Sequence, residues 1–153
     1  MFHILVVDDD KNTRQLIKAV LETENYIVIG ATDGEDALKV LDRSHIDLVI
    51  LDVMMPKMDG YEFTEILRRV QNELPILMVS AKQLPADRNK GFIVGTDDFM
   101  TKPFDEEELL LRVKALLRRA KIVNEHRIII GEVILDYDSL TVKRKNTCQE
   151  LPQ

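Results

Sequence analysis

The chain has 153 residues, 45% hydrophobic and 31% charged, with a single cysteine, Cys148. That length holds one full domain and a fragment of a second, and one cysteine excludes an intramolecular disulfide framework and fits a reducing compartment. Lys plus Arg is 21 against 27 Asp plus Glu, a net charge of −6, which disfavours broad nonspecific nucleic-acid binding while allowing a local basic patch.

The start, Met1-Phe2-His3-Ile4, lacks the basic region and apolar core of a signal peptide. No apolar run approaches a membrane span. The expected location is the cytoplasm. In chain order, His3 to Val7 reads as an apolar strand ending in Asp8-Asp9-Asp10. Leu16, Ile17, Val20 and Leu21 then recur at helical spacing, which predicts a helix over 11–24. Tyr26 to Ile29 is a second strand closed by Gly30, and Asp33 caps a helix burying Ala37, Leu38 and Leu41. Leu48 to Leu51 is a third strand, with Asp52 at its carboxyl end and Pro56 beyond. Its uninterrupted apolar run suits a strand covered on both faces of a parallel sheet. Asp59, with Glu62 three residues on, opens a helix marked by Phe63, Ile66, Leu67 and Val70.

Pro75 to Val79 is a fourth strand ending at Ser80. A weaker helix is expected near 85–94, and Asp98 to Thr101 is a short fifth strand leading into Lys102-Pro103. The last strong helix is expected from Asp105 to about Ala120, with acids in its first turn and bases in its last. Strands alternating with helices predict an α/β fold, a doubly wound five-stranded parallel sheet of flavodoxin-like order 2-1-3-4-5. The pattern then changes. Residues 127–130, 133–135 and 140–142 read as short strands, a β-rich tail after a boundary near 121–125.

In that strand order the first and third strands are neighbours, so Asp8 and Asp9 join Asp52 at one rim. Converging carboxylates repel one another and call for a cation. Oxygen ligands without His or Cys suit Mg²⁺ or Mn²⁺. Ser80 and Lys102 end neighbouring strands on the same rim and suit the oxygens of a phosphoryl group. Asp52 is left as the nucleophile that would form an acyl phosphate. Asp10 reads as a helix cap or a solvated loop residue. His3, His45 and His126 read as scattered, forming no cluster.

These residues carry a resemblance. Ile4-Leu5-Val6-Val7-Asp8-Asp9, the 47–60 stretch, Ser80-Ala81 and the run from Gly95 to Phe104 resemble a response-regulator receiver domain of two-component signalling, over about 2–121. The run from Ile128 to Asp136 is similar to the first strands of the winged-helix output domain of the OmpR/PhoB subfamily. The expected domains are therefore a receiver at 1–121, then at 122–153 a linker and the initial strands of an incomplete winged helix. DNA contact would belong to output-domain parts outside this sequence.

The resemblance implies that Asp52 accepts a phosphoryl group from a sensor histidine kinase. It implies that Asp9, Asp52 and the backbone carbonyl of Met54 ligate Mg²⁺, with Asp8 acting through water. Lys102 would pair with the phosphoryl group, held by a cis bond to Pro103. Ser80 would swing toward that group while the aromatic Phe99 turns inward. Phe99 stands where many relatives have Tyr, and Thr96 where this subfamily usually has Ala. Relatives dimerise when phosphorylated, which implies pairs here of Arg88 with Glu108, Asp98 with Arg112 and Asp97 with Lys114 around Phe92 and Leu110. The implied activity is the domain's own phosphorylation and slow dephosphorylation, leading to control of transcription in the full-length protein.

Two other classes compete. A metal-dependent phosphohydrolase typically needs a general acid two residues after its nucleophile, where this chain has Met54. A flavodoxin-like cofactor binder needs a phosphate-cradling first loop, and Asp8-Asp9-Asp10 is the opposite chemistry.

Overall fold

The computed structural model describes residues 1–71, 73–81 and 95–135, with side chains described as far as Lys121. The elements are β1 (His3–Val7), α1 (Lys11–Glu22), β2 (Ile27–Ala31), α2 (Gly34–Arg43), β3 (Leu48–Leu51), α3 (Gly60–Val70), β4 (Ile76–Ser80), β5 (Asp98–Thr101) and α4 (Glu106–Leu135). All strands are parallel, in the order β2-β1-β3-β4-β5. The expected doubly wound sheet is therefore present. The helix expected near 85–94 lies outside the described residues.

Strand alternation divides the core. Leu5, Val7, Val49, Leu51, Ile76, Met78 and Phe99 face one layer, where Ala37 and Val40 of α2 and Phe63 and Leu67 of α3 cover them. Ile4, Val6, Leu48, Ile50, Leu77, Val79 and Met100 face the other, covered by Ile17, Val20 and Leu21 of α1 and by Leu109, Val113 and Leu116 of α4. Because both faces are covered, the central strands are apolar throughout and show no polar alternation.

Carboxylates start the helices. Asp10 accepts from the Asn12 N–H at 3.2 Å and the Thr13 hydroxyl at 2.7 Å, as a cap for α1. Asp33 caps α2, and Asp59 with Glu62 forms a reciprocal capping box on α3.

A part-buried cluster of polar contacts fixes the approach to β5. Arg68 donates to the carbonyls of Gly95 at 2.8 Å and Leu74 at 2.6 Å, and to Asp97 at 2.7 Å. Gly95 has φ +112°, a conformation L side chains rarely adopt, and the Arg68 Cγ lies 3.0 Å from where its Cβ would be. Thr96, buried, donates its hydroxyl to the Ile76 or the Asp98 carbonyl, each at 3.1 Å. Arg68→Ala strands several acceptors at once. The expected loss is about 2 kcal/mol, the range for hydrogen bonds to charged groups, read as a lower urea midpoint with an unchanged slope.

The chain divides into two units, Met1–Leu117 and Arg118–Gln153. In the second, residues 118–135 are described and are helical backbone. Residues 127–130 and 133–135 were expected as strands, so the β-rich reading of the tail is corrected there. A strand needs a partner to satisfy its backbone groups, whereas a helix satisfies them within its own segment. Ile128 to Ile130 and Gly131 each lower helix propensity by no more than about 1 kcal/mol, too little to stop the helix that continues through them. Residues 140–142 and Cys148 lie outside the described residues.

Candidate functional site

The register aligns the strand ends. Val7 pairs with Leu51, and Leu51 with Met78, so the next residues along β1 and β3, Asp8 and Asp52, emerge side by side. The Asp52 N–H donates to the Val7 carbonyl at 3.0 Å, and the Asp8 N–H to that of Ala31 at 3.1 Å, which carries the sheet ladder into the site. Asp8 is 3% exposed and Asp52 6%, Ser80 is fully buried, and Asp9 stands at the surface. One oxygen each from Asp8, Asp9 and Asp52 lies within 4.8 Å of the others.

Lys102 follows β5, and its N–H donates to the Ser80 carbonyl at 2.8 Å. Its Nζ reaches Asp8 at 2.9 Å and Asp52 at 3.5 Å. The Lys102–Pro103 bond is cis. Three carboxylates and one ammonium thus come together from strand ends, and Ser80 ends the neighbouring strand.

Its electrostatics are unbalanced in a useful way. Burial pushes the Asp52 carboxyl above its ordinary pKa, and the charge of Asp8 adds to the rise, against the pull of Lys102 and the Met54 N–H. Burial alone would lower Lys102, yet its hydrogen bond to Asp8 and the charges of Asp52 and Asp8 leave it raised. Asp52 Oδ1 is buried with no hydrogen-bond partner. An orphaned carboxylate oxygen is costly to maintain, and it faces a set of hard oxygen donors. The residues present therefore fit a divalent cation of the Mg²⁺ type. Receiver domains generally bind Mg²⁺ at such an acidic pocket.

A cleft of about 480 Å³ adjoins the cluster, lined by Asp9, Val53, Met54, Met55 and Asp59. Met54 is 58% exposed beside it. Phe99 already lies inside the core, in the layer with Phe63. The expected dimer charges have partners within the chain. Arg112 binds both Asp98 oxygens at 2.8 Å and Glu108 at 2.8 Å. Asp97 binds Arg68, and Lys114 reaches Glu24 at 2.6 Å. Leu110 packs part-buried against the second core layer. Arg88 and Phe92 lie outside the described residues.

Two features escaped the sequence reading. Arg14 donates to the Asp8 carbonyl at 2.6 Å and steadies the acidic loop from behind. A base in the first turn of a helix opposes the dipole, and that oddity was the available signal. The histidine reading needs correction: His3 and His45 are not scattered, for their rings lie 6.4 Å apart near Asp47. Parallel neighbours β1 and β3 bring together residues that sequence spacing keeps apart.

The chain is 36% identical over 152 residues to the "Heme response regulator HssR" of Staphylococcus aureus strain bovine RF122 / ET3-1, covering 99% of this chain and 67% of that protein. Its structure is similar to the Francisella response regulator 1452 receiver domain, with TM-score 0.74, 35% identity, and coverage of 78% of this chain and 98% of that one. It is also similar to the Vibrio cholerae chemotaxis protein CheY4, with TM-score 0.73, 34% identity, and coverage of 76% and 98%. With residues 4–114 matching the response regulator receiver domain as a family, the chain belongs to the receiver domains of two-component response regulators.

Proposed function

We propose that this receiver is a phosphorylation switch of the OmpR/PhoB subfamily in which Asp52 takes a phosphoryl group from the phosphohistidine of a sensor histidine kinase. The observation that carries the reading is the buried, unpartnered Oδ1 of Asp52 beside Asp8, with the Lys102 ammonium 3.5 Å from the other oxygen. An oxygen of a desolvated carboxylate that spends no lone pair on a hydrogen bond, as Oδ1 here, stays available for attack.

Asp9, Asp52 and the Met54 carbonyl would hold Mg²⁺, with Asp8 acting through water. When bound, the ion offsets the charge of the acid cluster and of the incoming phosphoryl oxygens. Lys102 stabilises negative charge on the phosphoryl group, and the Ser80 hydroxyl supplies a further donor at the end of the neighbouring strand. Phe99 packs behind them, so movement of Ser80 alters the β5 surface. Asp97, Asp98, Glu108, Leu110, Arg112 and Lys114, with Arg88 and Phe92, form the face through which phosphorylated copies pair. Pairing exchanges intramolecular salt bridges for intermolecular ones, so the charges set register and contribute little net affinity. In a longer protein, this dimer would direct an output domain at DNA. The reading fits a cytoplasmic protein.

Acetyl phosphate with Mg²⁺ is expected to add a single phosphoryl group, mapped by peptide mass spectrometry to Asp52. The labelled protein, or one treated with beryllofluoride, is expected to sediment as a dimer. Label on another residue refutes the site assignment. Label on Asp52 without a change in sedimentation refutes the pairing face alone.

A further inference from the structure

At the rim opposite the acid cluster, where the strands begin, a second polar group assembles. His3 opens β1, and Asp47 immediately precedes β3, in register beside it. The Asp47 N–H donates to the His3 carbonyl at 2.8 Å, and the His3 N–H donates to Asp47 Oδ2 at 2.8 Å. His45 lies two residues before Asp47, in the loop after α2. Its Nε2 is 2.8 Å from Asp47 Oδ1. His3 Nδ1 is buried with no hydrogen-bond partner, 3.9 Å from Asp47 Oδ2.

A purely structural role explains part of this. Asp47 clasps the start of β1 to the start of β3 through backbone groups. That role requires neither imidazole. It also leaves a buried ring nitrogen facing a carboxylate at a distance too long for a hydrogen bond.

We propose that His3, His45 and Asp47 form a binding site for a divalent transition-metal ion of the zinc type. Two imidazole nitrogens and one carboxylate oxygen make a borderline donor set, which prefers such ions to Mg²⁺. Bonds of about 2.0–2.2 Å to a tetrahedral ion place donor atoms roughly 3.4 Å apart. The nitrogen–oxygen separations here, 2.8 Å from His45 to Oδ1 and 3.9 Å from His3 to Oδ2, are to the two different oxygens of Asp47 and lie on either side of that value. The three donors do not all fall within 4.8 Å of one another without a side-chain movement. Two imidazoles on one tetrahedral ion have ring centres roughly 5 Å apart, against 6.4 Å here. Closing the site therefore means moving the His45 ring by roughly 1.5 Å or more, and that side chain is 79% exposed on a loop. In the ion-free state the carboxylate accepts, so His45 Nε2 carries the hydrogen. On binding, that hydrogen passes to Nδ1 as the neutral ring takes its other tautomer, and Nε2 turns its lone pair to the ion. The ion also gives His3 Nδ1 the partner it lacks. Three protein ligands leave a fourth position for water. The ion would fasten the loop after α2 to the first residue of β1, remote from Asp52.

The test is calorimetric titration of the full chain with Zn²⁺ in excess Mg²⁺, with imidazole ¹⁵N spectra recorded alongside. The expected result is one Zn²⁺ bound, with the His3 and His45 ring nitrogens shifted. His45→Ala, an exposed change that spares the fold, should weaken binding by about tenfold or more, since removing even a supporting partner of a ligand costs that much. Asp52→Asn should leave the Zn²⁺ affinity unchanged. The proposal is overturned if Zn²⁺ does not bind. It is equally overturned if His45→Ala binds as tightly as the wild type, or if binding is lost in Asp52→Asn or Cys148→Ser but kept in His45→Ala.

Discussion

Asp52→Asn is expected to take no label from acetyl phosphate and, without Mg²⁺, to unfold at a higher temperature than the wild type. The first half follows from the proposal that Asp52 is the nucleophile. The second follows from burial. The folded state holds a proton on Asp52 more tightly than the unfolded chain does, because burial and then Asp8 raise its pKa. Stability therefore falls as pH rises from the ordinary carboxylate value of 3.8 through the raised folded value. Above both values the whole penalty applies. Asn carries no charge and escapes it, while Lys102 keeps its 2.9 Å contact with Asp8. Replacing a poorly compensated buried charge gains on the order of 1 kcal/mol or more, or roughly 3 °C in a chain of this size.

The pH dependence separates this cause from a packing effect. The difference between variant and wild type should shrink as pH falls toward 4 and vanish below the unfolded pKa of 3.8. Mg²⁺ should stabilise the wild type by mass action and do less for the variant, which has lost one ligand. Thermal melts at several pH values, with and without Mg²⁺, provide the readout. A variant that melts lower than the wild type at neutral pH, with a parallel pH profile, would mean that the carboxylate contributes to the fold and is not strained by it.

The same chemistry explains what was readable in advance. Strands covered on both faces must be apolar, so Leu48 to Leu51 and Ile76 to Val79 announced themselves, and the polar residues ending them marked the rim. The acid cluster was readable because it violates the rule that buried positions avoid charge. Arg68 was not readable. Its meaning depends on carbonyls at Leu74 and Gly95 that only the fold directs at it. His3 and His45 were missed for a related reason: a parallel sheet makes neighbours of residues separated by whole helices, and no local period reports it. The helix over 127–135 was not readable because a short isoleucine run suits a strand or a buried helix equally, and periodicity alone does not separate them.

Gly60→Ala is expected to cost about 2 kcal/mol and to slow labelling of Asp52, although no reacting atom is changed. Gly60 opens α3 close against the backbone of Asp52, and its N–H donates to the Val53 carbonyl at 2.9 Å. A Cβ there would sit 2.6 Å from the Asp52 carbonyl oxygen and 2.9 Å from the Val53 Cα. Both are backbone atoms and cannot swing aside. The helix cannot easily retreat either. The capping box of Asp59 and Glu62 holds its first turn, and Phe63 and Leu67 are fully packed in the core. The strain must fall on the backbone after β3, which aims the Asp52 carboxylate and the Met54 carbonyl. Gly34→Ala is the matched control. Its new methyl would meet chiefly the Met58 sulfur at 2.8 Å, the end of a flexible side chain, and Ala favours the first turn of α2. Urea midpoints should separate the two variants clearly, and Mg²⁺ affinity should fall only in Gly60→Ala. If both variants retain wild-type stability and labelling, close approach of α3 to the strand end plays no part in shaping the site.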